Sequence, residues 1–77
     1  MVVRKIFNKG DARVIKLGRC WYVYHDLIKI DEQSFSAAEI EFAKKPTLYS
    51  ISKAIAEYNE AEGRQEIFNP SDYEPWL

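Results

Sequence analysis

Few residues in this chain carry side chains suited to chemistry, and their spacing argues against using them that way. Cys20 is the single cysteine and His25 the single histidine. Five residues apart on one strand, they point to opposite faces, so a thiol–imidazole dyad is not expected. One cysteine cannot close an internal disulfide, and one Cys with one His lacks zinc-ligand spacing. The three glycines, Gly10, Gly18 and Gly63, each fall at a turn or a helix end, which leaves no Gly-rich phosphate loop. Carboxylates are plentiful, but Glu39 is assigned to a helix cap, Glu57, Glu60 and Glu62 to the polar side or end of a helix, and Glu41 pairs with none of them. The expectation is a protein that is not an enzyme, with no catalytic residues, no metal and no cofactor.

The elements that position these residues follow from pattern. Stretches 2–7, 12–17 and 20–25 are rich in Val, Ile, Phe, Tyr and Trp and are separated by turn signals, as strands are. Gly18-Arg19 fits a two-residue hairpin loop with glycine first. That loop sets a register in which Leu17 faces Cys20, Lys16 faces Trp21, Ile15 faces Tyr22 and Val14 faces Val23. One face then carries Ile15, Leu17, Cys20, Tyr22 and Tyr24, and the other Val14, Lys16, Trp21, Val23 and His25. Both are apolar enough to be covered, and the pattern does not choose between them. Leu27 to Ile30 either extends the third strand or pairs separately after a bend at Asp26.

Two helices are expected next. Ser36-Ala37-Ala38-Glu39 reads as a capping box, with Phe35 stapled to Ile40, and Pro46 ends that helix near Lys44 or Lys45. Thr47 caps a second helix from Leu48 to Glu62, with Leu48, Ile51, Ile55 and Tyr58 on one stripe and Gly63 as its C-terminal cap. The expected fold is α+β: a three-stranded antiparallel meander followed by two helices packed on the sheet, β-β-β-α-α, with an extended C-terminal segment. Residues 1–66 form the single domain and 67–77 the acidic, aromatic segment.

Composition narrows the function. At 77 residues the chain makes one small domain, and a domain of this size buries only about 60% of its unfolded surface. Two Trp, five Tyr and four Phe supply much of the core area available. No apolar run approaches the roughly 20 residues that span a bilayer, and the first seven residues lack a signal-peptide pattern. With the lone thiol, these features predict a soluble, cytoplasmic protein with no membrane partner.

Charge is divided unevenly. Residues 1–30 hold seven Lys and Arg against two Asp, a balance of +5, and residues 31–77 hold four against ten Asp and Glu, a balance of −6. Two surfaces follow. The acidic half, with Glu57, Glu60, Asp72, Tyr73, Glu74 and Trp76, would dock on a basic protein, the rings as anchors and the acids as a rim. The competing use for Phe68, Tyr73 and Trp76 is to fold back and complete the core. In the basic half, Lys5, Arg13, Lys16, Arg19 and Trp21 would meet DNA or RNA, cations on phosphates and the ring on bases. Three basic strands followed by a helix are similar in layout to arm-type and AP2-like DNA-binding domains, an analogy of layout alone.

The leading expectation is a non-catalytic binding protein that occupies a partner's surface. It fits the class of small phage-type inhibitors and regulators of host nucleic-acid-handling proteins, whether nucleases or CRISPR defence complexes. Direct nucleic-acid binding is the alternative. A homodimer is a further option if an apolar sheet face is left open.

Overall fold

A computed structural model describes residues 2–77. Four strands, β1 (Arg4–Asn8), β2 (Val14–Leu17), β3 (Cys20–Lys29) and β4 (Ser34–Phe42), precede one helix, α1 (Leu48–Glu62). Two short 3-10 turns, Pro70–Asp72 and Glu74–Trp76, close the chain. The class is α+β, with one antiparallel, curled sheet in the order β1-β4-β3-β2.

The β2–β3 hairpin forms in the expected register, Val14 opposite Val23 through Leu17 opposite Cys20. Gly18 takes φ 63° in its turn, where a glycine has no Cβ to clash. β3 then runs on past the bend: between His25 and Ile28 it carries one residue more than β4 does, a β-bulge. Asp26 sits there at φ 50°, a left-handed conformation that Asp tolerates better than most residues.

Residues 34–42 correct the expectation of a first helix. They form β4, which pairs with β1 on one side and β3 on the other. Ala and Glu favour a helix only weakly, and two strand partners override that preference. Ala37 and Ala38 are fully buried there. The residues assigned to a capping box do other work: Ser36 Oγ accepts from Arg4 Nε at 2.7 Å, and Glu39 accepts from the Tyr24 hydroxyl at 2.9 Å. Among the described residues the sheet therefore has four strands and the fold one α-helix. The expected meander is corrected too, because β1 pairs with β4 and not with β2.

α1 forms as its sequence implies. Thr47 Oγ1 accepts the Ser50 N–H, the Ser50 side chain returns the bond to the Thr47 N–H, and Gly63 caps the far end at φ 64°. Its stripe packs on one sheet face, so Ile51 and Ile55 meet Val14 and Val23, flanked by Trp21, Ile40, Phe42 and Leu48. Burying each such aliphatic side chain contributes about 1.5–3 kcal/mol relative to exposure. The tail joins this core. Tyr73 is 1% exposed, its ring stacks on Phe68 at 5.7 Å, and Leu77 packs at the edge.

Candidate functional site

The register sorts the strand side chains onto two faces. Trp21, Val23 and His25 share the helix-covered face with Lys16, Val14, Ala38, Ile40 and Phe42. The other face carries Leu17 and Cys20, then Ile15, Tyr22 and Glu41, then Tyr24 and Glu39. α1 does not pack there. At the β1 end the curl of the sheet buries Phe7, whose ring lies 5.9 Å from that of Tyr24. The remaining rows stay accessible, flanked by Leu17 at 60% and Val3 at 53% exposure.

On this open face each tyrosine sits opposite a glutamate across the β3–β4 pair. Burial, reinforced by the bond to Glu39, pushes the Tyr24 hydroxyl up to about 12. The Glu41 charge, with some burial, raises the Tyr22 hydroxyl. Burial and Glu41 together raise the Cys20 thiol, which lies 3.6 Å from Glu41 Oε2. A thiol held protonated beside a carboxylate is a poor nucleophile. What this face offers a partner is two aromatic rings, aliphatic flanks and two carboxylates.

A second arrangement surrounds the bulge. The Asp26 carboxylate accepts from Arg64 Nε at 2.9 Å and Nη2 at 3.1 Å, and from the Tyr58 hydroxyl, with Arg4 Nη1 at 3.4 Å. Burial works against its ionisation, but the bonds from Arg64 and Tyr58 and the charges of Arg64 and Arg4 outweigh it and hold Asp26 below the usual carboxylate range. Its backbone is held as well: the carbonyl accepts from Arg4 at 2.8 Å and the N–H donates to Glu66 at 2.7 Å. Glu66 also lies 2.7 Å from His25 Nδ1. A carboxylate has no proton to give, so Nδ1 carries the hydrogen. The Asn59 amide fixes Glu66 through bonds to both its N–H and its carbonyl. Three donor side chains on one carboxylate brace this left-handed residue.

The residues assigned to docking and nucleic-acid binding are scattered. Lys5 lies on β1 facing the open side, and Lys16 on β2 facing the helix side, so they sit at opposite edges and on opposite faces. Arg13 is occupied: it donates to the Tyr24 carbonyl at 2.8 Å and the Tyr73 hydroxyl at 3.0 Å, and lies over the Tyr73 ring at 4.9 Å. Trp21 is half-buried against the core, with Lys16 and Lys45 over its ring at 5.7 and 5.9 Å. Arg19 is exposed in the hairpin turn. Among the acidic set, Glu57 and Glu60 are exposed on α1 and Glu74 on the tail. Asp72 lies 3.9 Å from Arg13, Trp76 is 41% exposed, and Tyr73 belongs to the core.

His25 is fully buried. Pattern reading missed Arg4, Asp26, Tyr58, Arg64 and Glu66. Their partners are 22 to 54 residues away in sequence, and no local spacing brings them together. Glu39 and Glu41 were within reach, because alternation along 34–42 puts them on the side of Tyr22 and Tyr24. No family model matches the chain, and neither a curated protein nor a solved structure matches it significantly.

Proposed function

We propose that this protein is a binding module that occupies a basic surface on a partner protein, using the open sheet face. The observation that carries the reading is the pairing of Tyr22 with Glu41 and Tyr24 with Glu39 on a face that α1 leaves free. Tyrosines are frequent interface anchors, and carboxylates among them select a cationic partner and repel phosphate. Leu17, Ile15 and Val3 extend the apolar area beyond the rings. Proteins that handle nucleic acids carry basic surfaces, so an inhibitor or regulator of such a protein fits this chemistry. Catalysis has no part in it, because the thiol is held protonated and the imidazole is enclosed on the far side of the sheet.

Site-specific photo-crosslinking tests the reading. A photoreactive residue at Leu17, on the open face, should trap a protein in extracts of the native cells, and one at Tyr49, on the helix, should not. Glu39→Lys with Glu41→Lys should abolish the crosslink, and added duplex DNA should not compete. Trapping from position 49 alone, or capture of DNA that fades with salt, would sink the proposal. A crosslink to a second copy of this chain would recast the face as a dimer interface.

A further inference from the structure

An open groove of about 450 Å³ runs between α1 and the edge of β4, lined by Val2, Val3, Ile40, Ala54 and Ala61 and by three carboxylate residues, Glu39, Glu41 and Glu57, with the His25 ring and Tyr58 contributing to it. β1 pairs with β4 only to Ala38, with one more bond from the Glu39 N–H to the Val3 carbonyl at 3.1 Å. Past that point β4 has a strand neighbour among the described residues on the β3 side alone. His25 faces Ala38, whose methyl leaves room for the ring. With Nδ1 donating to Glu66, Nε2 lies on the opposite side of the ring, where an imidazole carrying one proton offers a bare acceptor. That atom is buried, and no group among the described residues donates to it. Buried polar atoms are nearly always paired, so an orphan beside a groove marks a place for a donor.

We propose that this groove receives a lysine side chain of a partner, its ammonium donating to His25 Nε2. The walls Val2, Val3, Ile40, Ala54 and Ala61 suit the aliphatic stem of such a chain. Glu57, with Glu39 and Glu41 beside it, supplies the compensating charge: among the described residues Glu57 forms no ion pair, and no Lys or Arg lines the groove. A carboxylate ligand would meet only negative charge there. An apolar ligand would leave Nε2 without its donor. Val3, Glu39 and Glu41 border both this groove and the Tyr–Glu face at the β4 edge. The two readings are separated by their readouts: partner crosslinking from Leu17 for the face, the His25 ring signal for the groove.

His25 is the only histidine, so the ¹⁵N signal of its Nε2 can be followed without ambiguity. Nα-acetyl-lysine methylamide should shift that signal saturably, and the norleucine counterpart, with the same four-carbon chain but no ammonium, should not. Glu57→Gln should weaken the lysine derivative about two- to fivefold, the range of an exposed ion pair. Ala61→Leu, an exposed helix position given a good helix former, should keep the fold and fill the groove, removing the shift. The proposal is overturned by no saturable shift in the native protein, or by equal binding of norleucine. An unchanged shift in Ala61→Leu would overturn it too, as would a groove that takes n-butylamine but excludes the lysine derivative.

Discussion

Glu66 accepts the backbone N–H of Asp26 at 2.7 Å, tying the segment after α1 to the bulged residue of the longest strand. Its other oxygen takes the His25 ring. One carboxylate thus satisfies two donors on adjacent residues, and Asn59 holds it in place. The bulge, the tail and the helix end form one mechanical unit.

Glu66→Ala should therefore be among the most destabilising single changes. It strips the acceptor from two poorly solvated donors, at about 1–3 kcal/mol for each donor left unpaired. Glu66→Gln retains an acceptor oxygen for Asp26 and should lose less. Urea denaturation of the three proteins measures the difference, and equal losses for Ala and Gln would contradict this account.

Asp26→Asn separates charge from backbone conformation, because Asn also accepts a left-handed φ. Arg64 and Arg4 would lose their ionised partner, with a cost of about 1–3 kcal/mol at neutral pH. The folded carboxyl is depressed, so its contribution is present above the unfolded carboxylate range near 4 and lost as pH falls through the folded value. The gap between native and Asp26→Asn urea midpoints should be full at pH 7 and shrink on acidification. A gap constant down to about pH 2.5 would show that Asp26 acts by shape alone.

Much of this fold was legible where the deciding contacts are local. The β2–β3 register follows from a two-residue loop, and α1 from a cap, a stripe and Gly63. The first helix was misread because Phe35-Ser36-Ala37-Ala38-Glu39-Ile40 satisfies two templates at once. Its cap and staple spacing suits a helix, and its alternation suits a strand. Pairing with β1, which sets Arg4 opposite Ala38 and Ile6 opposite Ser36, decides between them, and that pairing leaves no local trace. The open face was half legible for the same reason. Tyr22 and Tyr24 were placed together from the hairpin, but their glutamates arrive on the strand taken for a helix.

Charge reversal at two basic positions should give opposite outcomes. Arg13→Glu removes the donors to the Tyr24 carbonyl and the Tyr73 hydroxyl and sets a carboxylate near Asp72, so it should cost about 2–4 kcal/mol. Lys16→Glu loses only a partly exposed contact with Trp21, worth about 1 kcal/mol or less. Lys16→Glu is thus the clean probe for nucleic-acid binding, and its fluorescence anisotropy with duplex DNA should match that of the native protein. A Lys16→Glu protein that folds but loses measurable DNA affinity would restore the basic sheet as an interface.

The tail provides the last test, because Tyr73 and Trp76 lie three residues apart in unlike environments. Tyr73 stacks on Phe68 and receives Arg13, whereas Trp76 remains 41% exposed. Tyr73→Ala should cost about 3–5 kcal/mol, as other large-to-small core changes do. That approaches the whole stability of a small domain, often about 5 kcal/mol. Tyr73→Phe keeps the ring and loses one hydrogen bond, about 1 kcal/mol. Removing residues 69–77 deletes Tyr73 and Leu77 together and should leave an unfolded chain by near-ultraviolet circular dichroism. Trp76→Ala should melt close to the native protein. If the truncated chain instead keeps its native aromatic signal, the core closes without the tail, and Tyr73 would have to be read as a lid over the β2–β3 edge.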